Sequence, residues 1–331
     1  SFASTRYLFG TSTDFAGNLR TLLDMVYELH VTDENVEKEK GIIGQEIAMY
    51  DDDPDWRLYF GSIQALFHKN PVRIDIAGTA KTIAPITPEL LHQIHRCYYH
   101  PKNMVLSVVS PEPESVTFKA VEAHVETRTF GPAPKPRASA PTEPREAKKR
   151  SWRLRLPISR PRLIMAFKDA PLGRRGRPLL RRELSAALAL DTLFGNSGRV
   201  QISLYEDGLV DEGFSYSYTA EPTYSFGLVG GETDDPKKLR RRLDRELLVA
   251  VDQGLSKEEF ERVRNKALGE FARAFNAPES IAQMIVGHHF RKTSIGDYRE
   301  ALFKITRAEC NRRLKELLDP AVRSYGVASP R

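Results

Sequence analysis

The residues of this 331-residue chain with the clearest chemical meaning lie between positions 36 and 50. If this segment is a helix, Glu39 and Glu46 are seven residues apart, so Glu46 returns to within roughly 20° of Glu39. Glu46 then shares an apolar stripe with Ile43 and Tyr50. Burying an ionised carboxylate there is costly unless a cation, a metal ion or strong hydrogen-bond donors meet it. We therefore expect a positive group to face Glu46.

This segment and several others resemble the pitrilysin or insulinase-type zinc peptidases. In that family a glutamate ligand follows another glutamate by seven residues on a helix, as Glu46 follows Glu39, and here an acidic turn at 51–55 comes next. The resemblance covers both halves of the chain, through Thr5-Arg6-Tyr7-Leu8-Phe9, His68-Lys69-Asn70-Pro71, Gly78-Thr79, Tyr99-His100-Pro101-x-Asn103-Met104 and FGNSGRVQISLYEDGL at 194–209.

The resemblance implies that Glu46 binds Zn²⁺ and that Glu39 orients a ligating imidazole. The family's other two zinc ligands and its general base belong to a His-x-x-Glu-His motif, in which none of the eight histidines of this chain stands. The family carries that motif upstream of the segment that begins here at Ser1, so we expect the first domain to be incomplete at its N-terminus. The chain alone should hold zinc poorly and be inactive, because one carboxylate is not a metal site.

For the intact parent, the resemblance implies a metalloendopeptidase that hydrolyses unfolded peptides in a chamber between homologous domains. The peptide would add as a strand to a sheet edge. Many family members hold the peptide with an arginine and a tyrosine seven residues later, but Tyr205 and Glu212 occupy the corresponding positions here. Tyr216 and Tyr218 could substitute for this pair or could be ordinary sheet residues.

Some family members divide the work between two chains, one bearing the zinc motif and the other the arginine and tyrosine. This chain resembles the zinc-bearing partner, so a second homologous subunit, as in the heterodimeric processing peptidases, is expected. An alternative is a non-catalytic paralogue that serves as a structural or peptide-binding partner. The residues encoded upstream of Ser1 distinguish these two possibilities. A third possibility is that Glu46 pairs with an arginine in an interdomain salt bridge rather than with a metal ion.

A second group of metal-binding residue types occurs at His92, His95, Cys97 and His100. On a helix His92 and His95 share a side, whereas Cys97 lies elsewhere on the helical wheel and His100 adjoins a proline. The pattern therefore favours surface histidines and a core cysteine over a second zinc site.

Composition restricts the class of protein. Hydrophobic residues make up 40% and charged residues 28%, as in soluble globular proteins. No run of 18 apolar residues occurs, so no membrane association is expected. The net charge is +6, but the basic clusters are scattered, which argues against nucleic-acid binding. Two cysteines, Cys97 and Cys310, offer no disulfide framework and favour a reducing, cytoplasmic location.

The order of predicted elements indicates an α+β protein with two homologous α/β sandwich domains. Residues 1–130 form the predicted N-terminal peptidase-like domain, 131–150 a proline-rich solvated linker, and 151–331 the homologous C-terminal domain. In the first domain we expect strands at 6–10 and 104–109, and close packing against Gly41 and Gly44. In the second, strands are expected at 152–156, 163–167, 214–218 and 224–230, and the chain after residue 256 is expected to be mostly helical as far as 325–328.

Overall fold

The computed structural model describes residues 2–133, 141–169 and 173–331. The helices in this part of the chain are α1 (Phe15–Tyr27), α2 (Asp33–Asp52), α3 (Pro54–Leu66), α4 (Ala80–Ile83), α5 (Pro88–Tyr98), α6 (Glu114–Glu126), α7 (Arg177–Phe194), α8 (Arg199–Glu206), α9 (Pro236–Gln253), α10 (Lys257–Ala274), α11 (Pro278–Phe290), α12 (Ile295–Lys304) and α13 (Arg307–Leu317). The strands are β1 (Ser151–Leu156), β2 (Arg162–Lys168), β3 (Ser215–Ala220), β4 (Ser225–Glu232) and β5 (Arg323–Pro330). The predicted α+β class is thus confirmed. None of these helices combines the length and the apolar character that crossing a bilayer requires.

The five strands form one mixed sheet in the order β1-β5-β2-β4-β3. β1 runs parallel to β5, and the other neighbouring pairs are antiparallel. Ile164 in the central strand β2 lies opposite Gly230 of β4 on one side and Gly326 of β5 on the other. The four strands predicted for the C-terminal half are confirmed, and β5 is a fifth strand in the segment where the helical region was expected to end. Within the described residues β3 and β1 are the edge strands.

One face of the sheet packs on helices. The side chains of Leu163, Met165 and Phe167 alternate along β2 and are fully buried on this face. Helices α7 and α9 contact the sheet directly, and α13 packs on α7. A periodic set of leucines, including Leu239 and Leu243 of α9, completes this core. The alternating strands and amphipathic helices of the C-terminal half therefore bury their apolar residues as the sequence predicts.

The other face of the sheet is covered in part by α3, which contacts β1, β5 and β2. The indole of Trp152 enters a slot between α3 and β5, where Gly61 and Gly326 leave room for it. A Cβ added at Gly61 would lie 2.5 Å from the ring, and one added at Gly326 would lie 2.3 Å from it. Glycine is required at both positions because the ring occupies the space that a side chain would need.

The proline-rich segment differs from its prediction where the structure describes it. The side chain of Glu143 is only 1% exposed and lies 2.9 Å from Nζ of the fully buried Lys168. The carboxylate also accepts hydrogen bonds from the backbone N–H groups of His68, Lys69 and Asn70. The interpretation of the segment as solvated is therefore wrong at Glu143, since composition does not reveal a buried partner. Residues 134–140 of the predicted linker lie outside the described residues.

Two predicted strands in the N-terminal half are not formed. Residues 6–10 and 104–109 have no strand assignment. A strand needs a neighbouring strand to satisfy its backbone hydrogen bonds, and the described sheet contains only strands from the C-terminal half. The β-branched and aromatic residues of these segments favour an extended backbone, but the pairing of one strand with another depends on tertiary structure.

The residues divide by their contacts into two compact units. Unit 1 consists of Ser1–Ile47, Ile76–Ser139 and Ala274–His289, and unit 2 consists of Ala48–Asp75, Ala140–Arg273 and Phe290–Arg331. The sheet and its core belong to unit 2. The predicted domains at 1–130 and 151–331, and the homology between them, stay predictions.

Candidate functional site

The helix predicted to carry the acidic residues is present as α2, which spans 20 residues. Thr32 and Asn35 stabilise its start, because the Thr32 hydroxyl accepts from the Asn35 N–H and the Asn35 side chain accepts from the Thr32 N–H. Asp33 and Glu34 then lie in the first turn, where the helix dipole favours negative charge. The spacing of Glu39 and Glu46 on this continuous helix places them on one face.

Both Glu39 and Glu46 are exposed on α2. Their position on an apolar stripe therefore does not bury them in the described chain. Ile43, Ile47 and Tyr50 beside Glu46 are only half-buried. Helical periodicity identified the stripe correctly, but it does not determine what covers the stripe.

The glycines of α2 also lack the expected close neighbour. In the described part of the chain, nothing lies within 4 Å of a Cβ added at Gly41 or Gly44. The expectation of close packing at these positions is therefore not met by the described residues. Because glycine has no side chain, Gly41 and Gly44 leave the surface of α2 between Glu39 and Glu46 uncovered by side chains of their own.

The C-terminal end of α2 is held by aromatic contacts within unit 2. The rings of Tyr50 and Trp56 stack with centroids 4.1 Å apart, and the Trp56 indole N–H donates to Asp75 at 2.8 Å. Asp53 caps α3 by accepting from the N–H groups of Asp55 and Trp56. The acidic turn of the sequence therefore contains the start of α3.

A complete metal site is not formed by the residues that the structure describes, because no three His, Cys, Asp or Glu side chains among them are grouped to hold an ion. Glu46 can supply one carboxylate, and zinc sites in proteins use three or four protein ligands. The donor set of the described residues thus does not by itself fit zinc.

The second group of metal-binding residue types makes other contacts. A ring nitrogen of His95 lies 2.9 Å from the carbonyl oxygen of Val26, and one of His100 lies 3.1 Å from the carbonyl oxygen of Gly131. Backbone carbonyls thus satisfy these two imidazoles.

The residues proposed as possible substitutes for the arginine and tyrosine pair pack into the protein. Tyr216 and Tyr218 lie against the helix-side core. The Tyr218 hydroxyl donates to Asp169 at 2.5 Å, and burial followed by the Asp169 charge raises the pKa of Tyr218 well above its usual value. Tyr205 and Glu212 are both exposed.

Asp169 is the centre of a buried charge cluster that sequence reasoning missed. Its carboxylate is 1% exposed and accepts from Arg182 at 2.5 Å and from Arg313 at 2.7 Å. Its three partners, Tyr218, Arg182 and Arg313, come from β3, α7 and α13. The cluster satisfies a charge that could not otherwise be buried. The only local signal was an aspartate directly after an apolar strand.

A cavity of about 530 Å³ lies in unit 2 on the sheet face that α3 covers in part. Ile164 of β2, Leu228 of β4 and Tyr59 of α3 provide apolar lining. From the edge strand, Ser215 and Ser217 also line the cavity, and both are exposed.

Charged side chains line the same cavity. Arg162 pairs with Glu232 at 2.8 Å and with Asp55. Asp211 pairs with Arg160 at 2.8 Å. Among the charged lining residues, Asp55, Asp211 and Glu232 face one cation, Arg162. Arg160, which is not a lining residue, also lies 3.7 Å from Glu232, so each of the three carboxylates is ion-paired with an arginine.

Comparison with known proteins adds to this geometry. Residues 85–267 match the family described as the Peptidase M16 inactive domain. A Bacillus subtilis (strain 168) protein named as the uncharacterized zinc protease YmfH is 37% identical over 316 residues, which cover 96% of this chain and 74% of that protein.

Solved structures show the same relationship. A crystal structure described as an M16-like peptidase from Alicyclobacillus acidocaldarius is 33% identical, with a TM-score of 0.92, and the match covers 96% of this chain and 76% of that one. Pitrilysin is similar in fold, with a TM-score of 0.70 at 17% identity. That match covers 96% of this chain but 35% of pitrilysin.

Proposed function

Because the chain belongs to the M16 peptidase family, whose inactive-domain description it matches over residues 85–267, we propose that it is a subunit of a zinc-dependent peptidase. The proposed reaction is the hydrolysis of unfolded peptides. In the proposed assembly the 331 residues provide one metal ligand, Glu46, and the half of the peptidase that contains the β1–β5 sheet. These residues alone are inactive.

The observation that carries the proposal is the position of Glu46 and Glu39 on one exposed face of α2. Two carboxylates seven residues apart on a helix face can perform different tasks, one as ligand and one as the group that orients a ligating histidine. The exposed side chain of Glu46 is accessible to an ion brought by another segment.

The described residues do not form a complete site, and the proposal takes the other ligands from outside these 331 residues. We propose that a His-x-x-Glu-His segment, in the same polypeptide or in a partner, supplies two imidazoles. Zinc bound there would polarise the scissile carbonyl. The match covers 35% of pitrilysin, which is therefore a longer chain.

The substitution Glu46→Gln in the full-length protein tests the proposal. Gln preserves size and removes the charge that zinc requires, so we expect the zinc content per protein to fall at least about tenfold. Zinc is measured by mass spectrometry after dialysis. Glu39→Gln should reduce the zinc content less than Glu46→Gln does, because Glu39 acts on the metal ion only through the histidine that it orients.

Glu34→Gln, in the first turn of the same helix, is the matched control and should retain wild-type zinc. Circular dichroism of all three variants checks that α2 remains folded. Unchanged zinc in Glu46→Gln would contradict the proposed ligand role.

A second candidate function is a non-catalytic partner subunit that supports or holds peptides. The specific observations in its favour are the description of the matching family as an inactive domain and the incomplete donor set of the described residues. This candidate predicts that the purified full-length protein contains no zinc and that Glu46→Gln changes neither metal content nor peptide binding.

A further inference from the structure

A buried histidine lies at the contact between two helices of unit 1. His124 is in the last turn of α6, and its side chain is only 10% exposed. Its ring stacks on the ring of Tyr27, the last residue of α1, with centroids 6.5 Å apart. The Nε2 atom of His124 is buried and has no hydrogen-bond partner among the described residues. Histidine is the side chain whose charge ordinarily changes near neutral pH, so this contact contains a titratable group shielded from water.

The carboxylate that faces this ring already binds an arginine. Oδ1 of Asp24 lies 3.4 Å from Nε2 of His124, but the same oxygen accepts from Arg128 at 2.5 Å. Arg128 also donates to Glu28 at 2.7 Å, and its guanidinium lies 5.7 Å from the centre of the Tyr27 ring. Arg128 is therefore the cation that these two carboxylates neutralise, and His124 takes part in the contact as an uncharged ring.

The ionisable groups around His124 come from α1 and from the residues just after each helix. They are Arg20 and Asp24 of α1, Glu28 and His30 just after α1, and Arg128 just after α6. His30 is 88% exposed and joins the group only through Glu28, at 3.6 Å. Both arginines remain positive over the whole physiological range of pH. A proton added to His124 would thus place a further positive charge in a buried group that already contains Arg128.

We propose that His124 is a pH-sensitive switch in unit 1, which holds α6 against α1 when the imidazole is neutral and releases the two helices when it is protonated. A buried imidazolium loses its hydration and lies beside the Arg128 guanidinium. The carboxylate that could compensate it, Asp24, keeps its hydrogen bond with Arg128. The switch is a property of unit 1 and does not depend on the proposed peptidase function.

The same surroundings fix the direction of the pH dependence. Burial, followed by the charge of Arg128, lowers the pKa of His124, and the opposing effect of Asp24 is smaller. When the pKa is lower in the folded state than its ordinary value of 6.5, the unfolded chain binds more protons. The stabilisation from neutral His124 is therefore complete above pH 6.5 and is lost as the pH falls through the lowered pKa.

The packing of α6 explains why this contact can control the helix. Three residues of α1, Leu19, Leu23 and Val26, are buried, whereas none of the 13 residues of α6, all of which are described, is buried. A helix with so little buried surface opens at low free-energy cost. Loss of the His124 contact should therefore open α6 and α1 without unfolding the sheet of unit 2.

Hydrogen exchange of the full-length protein at pH 7.5 and pH 5.5 tests the switch, with each rate divided by the intrinsic rate at that pH. We expect opening of α1 and α6 to increase at least about threefold at pH 5.5, while that of β2 and β4 stays unchanged. In His124→Gln, which carries no charge at either pH, the increase should disappear. His30→Gln is the matched control, because it removes an exposed histidine of the same unit, and it should keep the wild-type response.

A direct titration of His124 in the wild-type protein covers the case in which His124→Gln opens α6 at both pH values. The imidazole signal is followed by NMR in protein labelled with ¹⁵N-histidine and is assigned by its nuclear Overhauser contact with the Tyr27 ring. The proposal requires a pKa below 6.5. A pKa at or above 6.5 would show that Asp24 stabilises the imidazolium and would overturn the proposal, as would an unchanged pH response in a folded His124→Gln variant.

Discussion

Individual carboxylates in this protein have opposite environments, and their surroundings decide what each can do. Glu46 is exposed on α2, where an incoming ligand can reach it. Glu143 is buried and fully occupied by three backbone N–H groups and Lys168. Lys168 in turn donates to Glu143 and to the carbonyl oxygens of Pro144 and Glu146, each at 2.9 Å. Glu143 thus has a structural role, whereas Glu46 lies on an exposed helix face.

Removing the charge of Glu143 should destabilise the fold. In Glu143→Gln, the buried Lys168 ammonium loses its counter-ion, and we expect the free energy of unfolding to fall by about 3 kcal/mol. Urea denaturation followed by circular dichroism measures the change. Glu146→Gln is the control because its side chain is exposed, and it should change stability by less than about 0.5 kcal/mol. Equal stability of the two variants would disprove the structural role of the Glu143 charge.

The same carboxylate predicts a pH dependence. Burial tends to raise the pKa of Glu143, but the hydrogen bonds from His68 N–H, Lys168, Lys69 N–H and Asn70 N–H outweigh it and lower the pKa to about 2. A lowered pKa means that the stabilisation is complete above the unfolded value of 4.5 and is lost as the pH falls toward 2. A shift of this size corresponds to about 3 kcal/mol. We expect the difference in stability between wild type and Glu143→Gln to shrink over this range in urea titrations.

At the level of elements, α3 links several features of unit 2. Its N-terminal part carries Asp55 and Tyr59 at the cavity, and its Gly61 accommodates Trp152 of β1. The segment before β1 is attached to the C-terminal end of α3, since the N–H groups of Lys148 and Lys149 donate to the carbonyl oxygens of Leu66 and Ala65. The position of α3 on the sheet thus defines one wall of the cavity.

Glycine substitutions separate close packing from open surface. Gly61→Ala places a Cβ 2.5 Å from the Trp152 ring, and we expect it to destabilise the protein by about 1–3 kcal/mol. Gly44→Ala on α2 meets nothing within 4 Å and should stabilise the 331-residue chain by up to about 1 kcal/mol through helix propensity. Thermal denaturation of both variants measures these changes. If Gly61→Ala proved neutral, the Trp152 slot would be less tightly packed than the distances indicate.

At the level of the whole molecule, the two units have cores of very different size. Among the described residues of unit 1 the buried hydrophobic side chains are Leu19, Leu23, Val26 and Val36, whereas most of the buried hydrophobic residues belong to unit 2. Large apolar side chains in unit 1, such as Phe118 and Ile42, remain 62% and 49% exposed. Burial of apolar area is the main source of stability, so unit 1 should be the weaker unit in this chain.

Hydrogen exchange measured by mass spectrometry tests this difference. In the 331-residue chain we expect the amides of α1, α5 and α6 to exchange at least about a hundredfold faster than those of β2, β4 and α7. The reason is that opening unit 1 exposes little apolar surface. Addition of a partner that covers the exposed residues should slow exchange in unit 1 selectively. Uniform protection across the chain would contradict the difference in core size.

The sequence alone determined much of this protein, because the responsible signals are local. The period of the leucines in α9 and the alternation of buried side chains along β2 identify their elements directly. The spacing of Glu39 and Glu46 likewise placed both on one helix face, and the short motifs identified the family.

Only the tertiary structure decided what each residue meets. It left the segments at 6–10 and 104–109 without strand partners, exposed Glu46, buried Glu143, and assembled Asp169 with partners from three distant elements. It also formed the cavity from α3, β2, β4 and β3. Capping and periodicity depend on neighbours along the chain, whereas burial, ion pairing and strand pairing depend on residues that folding brings together from far apart in sequence.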